Sequence, residues 1–178
     1  MEKFNLEEAK KEYIKNIKNY MSDTGSLFPH ISIFGIDKDT QKKSIVHVPI
    51  PEEYMSSSKM KDEFVDDILP LIVKKVNEKF TTEAVGWASE AWMSTFDDKT
   101  KKPSDKRKEV LFIILSTEDG ESVSLYDIER TGKQVNQEGE LVDIIELTEN
   151  TAFDSTESHP MAGRFANLYR KFKESSED

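Results

Sequence analysis

The chain has 178 residues, a formal net charge of −10 and 36% hydrophobic residues, among them ten Phe, five Tyr and two Trp. This supply of large apolar side chains excludes a disordered chain, and the length suits one domain. The lack of cysteine excludes disulfides, thiolate zinc sites and a cysteine nucleophile, and the acidic charge disfavours nucleic acid and anionic membranes as partners.

An amphipathic helix is predicted near the start of the chain. Asn5 and Glu8 have the capping-box spacing, in which each side chain bonds a free backbone N–H of the first turn. Apolar residues then recur every three or four positions, and Gly25 favours a left-handed helix end. We expect this helix to lie on a sheet.

The next two apolar segments indicate a β-hairpin. Residues 28–36 and 44–50 have strand composition and are joined by a polar connection. Pro49 and Pro51 have no N–H to donate to a neighbouring strand, so we expect the second strand at an edge of the sheet.

A second helix is predicted from about residue 59 to residue 80. Its apolar residues form a broad stripe that requires burial, from Met60 to Phe80. Pro70 lies in the middle, where it cannot bond Asp66 and its ring crowds that carbonyl group. We therefore expect a kink near Asp66 or two helices that meet there.

Four further apolar segments indicate an antiparallel meander. Asp119-Gly120 is a strong hairpin signal, and we place another turn region between Thr131-Gly132 and Glu138-Gly139. The second segment is apolar on both faces, as in a central strand. The four segments are residues 85–93, 109–116, 122–128 and 141–147.

A last amphipathic helix is predicted after Pro160, with Met161, Phe165, Leu168, Tyr169 and Phe172 on its apolar face. The element order is then α-β-β-α-β-β-β-β-α. It predicts one α+β domain over residues 1–178, in which three helices cover a mostly antiparallel sheet. We expect residues 1–4 and 174–178 to be frayed.

His30 and His47 are the first candidate catalytic residues. His30-Ile31-Ser32 has the His-x-Ser form of two-histidine phosphoesterases, which need a second copy. His47-Val48-Pro49 has Pro in place of the second hydroxyl, so a hydrolase of this kind is an alternative hypothesis. Neither these residues nor the acidic residues have a recognised metal-ligand spacing, and we predict no metal and no cofactor.

Glu90 is the third candidate catalytic residue. It alternates with Trp92 and small residues on one face of a predicted inner strand. Burial would raise the pKa of this carboxyl unless an arginine pairs with it, and Arg107, Arg130 and Arg164 are the candidates. A structural ion pair is the favoured interpretation.

The segment from Lys99 to Lys108 is basic in an acidic protein. Lys101, Lys102, Lys106 and Arg107 are therefore candidate partner-binding residues for a phosphate or an acidic protein surface. No aromatic residue lies within the segment, which disfavours stacking on nucleic acid bases. A solvated hairpin loop is the alternative.

Three short stretches resemble a pattern in uncharacterised small proteins of tailed bacteriophages. They are Ser89-Glu90-Ala91-Trp92-Met93, Pro103-Ser104 and Arg107-Lys108-Glu109-Val110-Leu111. The resemblance covers about a sixth of the chain and implies a phage origin without a mechanism. With no catalytic motif recognised, we hypothesise a non-enzymatic protein that contacts a protein partner in the infected cell.

A structural component of the virion is the alternative within the binding class, and the hydrolase with His30 and His47 is the alternative enzyme. No apolar run approaches the about 18 residues of a membrane span, and no apolar signal core is found. We therefore expect the protein in the host cytoplasm, or else in the virion. The oligomeric state stays open.

Overall fold

The computed structural model describes residues 5–96, 103–150 and 167–174. Six strands form one antiparallel sheet in the order β2-β1-β3-β4-β5-β6. This confirms the predicted α+β class. The strands are β1 His30–Asp37, β2 Lys43–Pro49, β3 Phe80–Phe96, β4 Pro103–Thr117, β5 Glu121–Val135 and β6 Leu141–Glu149.

Helices pack on both faces of this sheet. The α-helices are α1 Leu6–Thr24, α2 Glu52–Met55, α3 Ser58–Glu63, α4 Leu69–Asn77 and α5 Leu168–Glu174, and a π-helical turn spans Phe64–Ile68. Helix α1 covers one face, and the π-helical turn, α4 and α5 cover the other. None of the helices in the described ranges has the length and apolar character needed to cross a membrane.

Helix α1 begins and ends as its sequence predicts. The Asn5 side chain accepts hydrogen bonds from the backbone N–H groups of Glu7 and Glu8, and Gly25 adopts the left-handed conformation at φ +75°. The inner face of the helix buries Ala9, Tyr13, Ile17 and Met21 against the sheet.

The predicted second helix is interrupted, as Pro70 indicated. The π-helical turn at Phe64–Ile68 ends two residues before Pro70, which occupies the first turn of α4 where no N–H is required. The predicted end at residue 80 is wrong, because α4 ends at Asn77 and Phe80 begins β3. Phe80 is buried, so its apolar character belongs to the sheet and only coincides with the helical spacing.

The hairpin and the meander are confirmed, and β2 lies at an edge of the sheet as its prolines predicted. One predicted turn is wrong. Thr131 and Gly132 lie within β5, where the register with β6 shifts between Arg130 and Gly132. A glycine inside a strand marks such a bulge as readily as a turn. Gly139 lies in the turn between β5 and β6, with φ +83°.

The predicted basic loop is partly wrong as well, because Pro103 to Lys108 belong to β4. In the described part of the chain, β3 pairs with β1 only as far as Ala88, and β4 pairs with β5 only from Val110. Residues 91–96 and 103–109 therefore form a two-stranded extension of the sheet, here called the β3–β4 ribbon.

At the C-terminal end, Leu168 and Phe172 of α5 are buried on the sheet as predicted. Glu174 was expected to be frayed but is the last residue of α5, where it accepts a hydrogen bond from Arg170. Pro160, Met161 and Phe165 lie outside the described residues, as do the chain ends 1–4 and 175–178.

The central position of β4 leads to a stability prediction. The side chain of Ile114 is 0% exposed in the core against Trp87 and Val123, so Ile114→Ala should lower the free energy of unfolding by about 2–5 kcal/mol. Leu71→Ala is the control, because Leu71 is exposed and its truncation should cost less than about 0.5 kcal/mol. Urea titration of both variants measures the difference, and equal midpoints would contradict the assignment of β4 to the core.

Candidate functional site

The two candidate histidines meet at the β1–β2 edge of the sheet. His47 lies opposite Ser32 in the register and His30 lies opposite Pro49, so all four side chains point to the face that α1 covers. The ring centroids of His30 and His47 are 5.5 Å apart, with the rings nearly perpendicular. The long polar connection in the sequence therefore closes a true hairpin and brings both imidazoles together.

Tyr13 of α1 completes this cluster. It is fully buried, and its hydroxyl lies 3.2 Å from Nε2 of His30. The ring rests on Gly86 of β3, where a Cβ atom would come within 2.7 Å of Tyr13 Cε1. The missing side chain of Gly86 is therefore what lets the helix bring the phenol down to the sheet.

The polar groups of the cluster are hydrogen-bonded. Nδ1 of His30 is 3.0 Å from the carbonyl oxygen of Phe28, and Oγ of Ser32 is 2.8 Å from Nδ1 of His47. One set of hydrogen bonds thus runs from Tyr13 through His30 to the backbone of Phe28, and a separate bond joins Ser32 to His47.

The direction of the hydrogen bonds at His30 follows from the Phe28 carbonyl. This oxygen can only accept, so Nδ1 of neutral His30 carries the proton and Nε2 accepts from Tyr13. Between Ser32 and His47 the hydroxyl can donate or accept, so the neutral His47 ring uses Nδ1 for Ser32 in either tautomer and keeps Nε2 for another partner.

Burial shifts the pKa values in this cluster toward the neutral forms. It raises the pKa of Tyr13, although the Ser32 hydroxyl opposes the rise. Burial lowers the pKa of His30; the hydrogen bond with the Phe28 carbonyl opposes this change, and His47 adds to it. Burial also lowers the pKa of His47. Both histidines are therefore neutral at physiological pH.

A pocket of about 270 Å³ opens beside the cluster. Helix α1, the segment between α1 and β1, and the first hairpin supply its walls, which are mainly apolar and include both histidines. Tyr20 and Phe28 are exposed at this pocket, while Ile17 and Leu27 are buried. Its lining residues are Asn16, Ile17, Tyr20, Leu27, Phe28, His30, His47 and Pro49.

Glu90 does not line this pocket but supports its wall. One carboxylate oxygen of Glu90 accepts a hydrogen bond from the backbone N–H of Leu27, and the other lies 3.0 Å from Nη2 of Arg130. The predicted ion pair is therefore present, with Arg130 as the partner. Arg164, another candidate partner, lies outside the described residues.

Arg130 joins five segments of the chain. Its guanidinium group binds Glu109 of β4 through two bonds of 2.6 and 3.0 Å and Asp143 of β6 at 3.1 Å, besides Glu90 of β3. It also donates to the carbonyl oxygen of Gly25, the residue that ends α1. The group is only 27% exposed, so these bonds are partly shielded from water. Arg130 and Glu90 together hold the segment that carries Leu27 and Phe28.

Glu90 and Glu109 differ in pKa although they share this arginine. Desolvation raises the pKa of Glu90, and Glu109 raises it further. The hydrogen bond from the Leu27 N–H and the positive charge of Arg130 lower the pKa by less than this rise. The hydrogen bond from Arg130 lowers the pKa of Glu109. Glu109 is therefore the charged partner of Arg130, and Glu90 is the carboxyl group that gains a proton first on acidification.

Two of the four candidate partner-binding residues lie on the β3–β4 ribbon. Lys106 and Arg107 are exposed residues of β4, whereas Lys101 and Lys102 lie outside the described residues. Trp92 pairs with Glu109 and Ser94 pairs with Arg107, so Trp92 and Arg107 are diagonal neighbours on one face. The Trp92 side chain is 66% exposed. The sequence argument that no aromatic accompanies the basic segment overlooked this strand partner.

Tyr13 and Ser32 belong to the histidine cluster and Trp92 to the β3–β4 ribbon, but none of the three is among the candidates from sequence. Tyr13 has the spacing of an ordinary core residue of α1, and Ser32 was considered only as part of a phosphoesterase motif. Trp92 could have been identified from the pairing of β3 with β4, because this pairing places a tryptophan beside the basic residues. Among the described residues, no group of three or more acidic or histidine side chains is placed to hold a metal ion.

Comparison with known proteins adds no relative to this description, since no family model, curated protein or solved structure matches the chain.

The arginine network leads to a prediction on stability. Arg130→Met should lower the free energy of unfolding by about 1.5–3 kcal/mol, because it removes charge-assisted hydrogen bonds and leaves shielded carboxylates unpaired. Arg170→Met is the matched control, since the exposed pair of Arg170 with Glu174 should contribute less than about 0.5 kcal/mol. Denaturant titration of the two variants measures both free energies of unfolding. Equal losses would show that the Arg130 network stabilises the fold no more than an exposed ion pair does.

The histidine cluster leads to a prediction on pH. Because folding lowers both histidine pKa values below 6.5, the unfolded chain binds protons first on acidification. The free energy of unfolding should therefore fall as the pH drops through 6.5 toward the folded pKa values, mainly because of His30, since His47 is exposed to solvent. In the double variant His30→Gln, His47→Gln, this fall in the free energy of unfolding should be absent. Urea titrations of wild type and variant at about pH 7.5 and about pH 5.5 measure the difference. An unchanged pH dependence would contradict the assignment.

Proposed function

We propose that the protein is phage-encoded and acts without catalysis, through contact with a protein partner in the infected cell. The observation that carries this proposal is the position of the exposed aromatic residues. Tyr20 and Phe28 border the pocket, and Trp92 lies two residues beyond Glu90, whose carboxylate bonds the residue before Phe28. These three side chains thus share one end of the sheet and the face that α1 covers.

Exposed aromatic residues at one end of a molecule favour a contact surface. Phe28 is 64% and Trp92 is 66% exposed, although burial of such side chains would stabilise the fold. Trp, Tyr and Arg also dominate the binding energy of protein interfaces, and Arg107 is the diagonal neighbour of Trp92. The surface therefore combines an apolar anchor with a cation.

The charge of the β3–β4 ribbon indicates the chemistry of the partner. Lys106 and Arg107 are exposed cations in a chain of net charge −10. A partner with an acidic patch is attracted to the ribbon and repelled by the acidic remainder, so the charges orient the complex. The proposed partner is accordingly a protein that offers an acidic patch beside an apolar cleft for Trp92.

A hydrolase is the second candidate, because His30 and His47 line one pocket. Pro49 stands opposite His30 in the register, where the phosphoesterase pattern needs a second hydroxyl. The residues that line the pocket include no Lys or Arg to neutralise a phosphate. Hydrolysis of bis(p-nitrophenyl) phosphate at equal rates by wild type and His47→Ala would remove this candidate.

The contact proposal is tested by a pull-down from infected cells with wild type, Trp92→Ser and Val135→Ser. Val135 is the matched control, because it is also 66% exposed but lies on β5. We expect Trp92→Ser to lose a captured protein that wild type and Val135→Ser retain. Thermal unfolding should be nearly unchanged in both variants, since exposed substitutions usually stay within about 0.5 kcal/mol.

Arg107→Ser then tests the charge of the partner. The captured protein should bind this variant less tightly at low salt and nearly as tightly as wild type at high salt, because salt already screens the exposed charge. Loss of the partner from both Trp92→Ser and Val135→Ser, or from neither, would contradict a contact through the β3–β4 ribbon.

A further inference from the structure

The pocket at the β1–β2 edge has a chemical character that protein contact through the β3–β4 ribbon does not use. Its volume of about 270 Å³ exceeds the about 150 Å³ that suffices for benzene and lies below the range of about 300–1,000 Å³ that is usual for cofactors and drug-sized ligands. The space therefore matches a molecule with one or two rings.

The lining excludes charged ligands and favours apolar ones. Leu27, Ile17 and Pro49 supply aliphatic surface, and Tyr20 and Phe28 add aromatic rings at exposed positions. The lining contains no Asp, Glu, Lys or Arg. An ion that entered would lose water without gaining a charged partner, which is unfavourable.

One ring nitrogen is left for a ligand. Both ring nitrogens of His30 are occupied, by the Phe28 carbonyl and by the Tyr13 hydroxyl. Nδ1 of His47 bonds Ser32, so Nε2 is the nitrogen of the His47 ring that has no hydrogen-bond partner among the described residues. In neutral imidazole this nitrogen either accepts or donates one hydrogen bond, and a hydroxyl group can match both.

We propose that this pocket binds a small uncharged aromatic molecule that carries one hydroxyl group, of the phenol class. The ring lies against Tyr20, Phe28 and the aliphatic wall, and its hydroxyl bonds Nε2 of His47. The Asn16 amide, also in the lining, is a second polar group for a substituent on the ring.

The test measures binding of p-cresol and toluene to the full chain by isothermal titration, with chemical-shift mapping of the lining residues. The two probes differ only in the hydroxyl group. We expect p-cresol to bind roughly two- to tenfold more tightly than toluene, the value of one net hydrogen bond, and both to shift Leu27 and Phe28. Equal affinity of the two probes for wild type, or shifts elsewhere on the protein, would overturn the proposal.

His47→Phe separates the hydrogen bond from the cavity. This variant keeps a ring at the exposed edge but removes the nitrogen that bonds the ligand hydroxyl, so it should bind both probes equally. Ser44→Ala is the control on the same strand, at an exposed position outside the lining, and should retain the preference for p-cresol. A preference that persists in His47→Phe would overturn the role of Nε2. None of these results depends on Trp92 or Arg107, so the pocket and the protein contact can fail independently.

Discussion

The guanidinium group of Arg130 is the interaction on which the candidate surfaces depend. It binds carboxylates from β3, β4 and β6 and the carbonyl oxygen at the end of α1, so one side chain of β5 ties together the strands and the helix. An arginine can do this because its five N–H donors lie in a rigid plane. Since Glu90 also bonds Leu27, the network determines where the segment from α1 to β1 lies, and hence where the pocket wall stands.

The same constraint explains why the aromatic residues stay exposed. Leu27 is buried while Phe28 is exposed, because the backbone between them is held on one side by Glu90 and on the other by the start of β1. Extended backbone places successive side chains on opposite sides. A segment held at its backbone in this way presents a fixed surface, and a fixed surface loses less entropy on binding than a mobile one.

The histidine cluster and the β3–β4 ribbon are organised by different physical effects. In the cluster, burial of Tyr13 requires a hydrogen-bond partner for its hydroxyl, and His30, itself bonded to the Phe28 carbonyl, supplies it. In the ribbon, strand pairing continues beyond the neighbouring strands, and Trp92, Lys106 and Arg107 are exposed there. A mainly apolar pocket and an exposed cationic extension thus lie at the same end of one sheet.

Local patterns in the sequence determined the elements and their order. The capping box at Asn5, the left-handed residue Gly25, the edge position of β2 with its prolines and the break before Pro70 all follow from short-range chemistry, and the structure has each of them. Glu90 and its arginine could also be anticipated, because an acidic residue on an inner strand needs a partner. The choice among Arg107, Arg130 and Arg164 could not, since it depends on which strands become neighbours.

The surroundings of the candidate residues depend on contacts between distant parts of the chain. Strand register brought Ser32 to His47 and Trp92 to the side of Arg107, and helix packing over Gly86 delivered the Tyr13 hydroxyl to His30. Register and packing arise from contacts between residues far apart in the chain, and a shift of one residue would turn each side chain to the opposite face. Local patterns were therefore sufficient to predict the α+β sheet and its covering helices, whereas long-range pairing placed the two histidines together in the wall of a pocket.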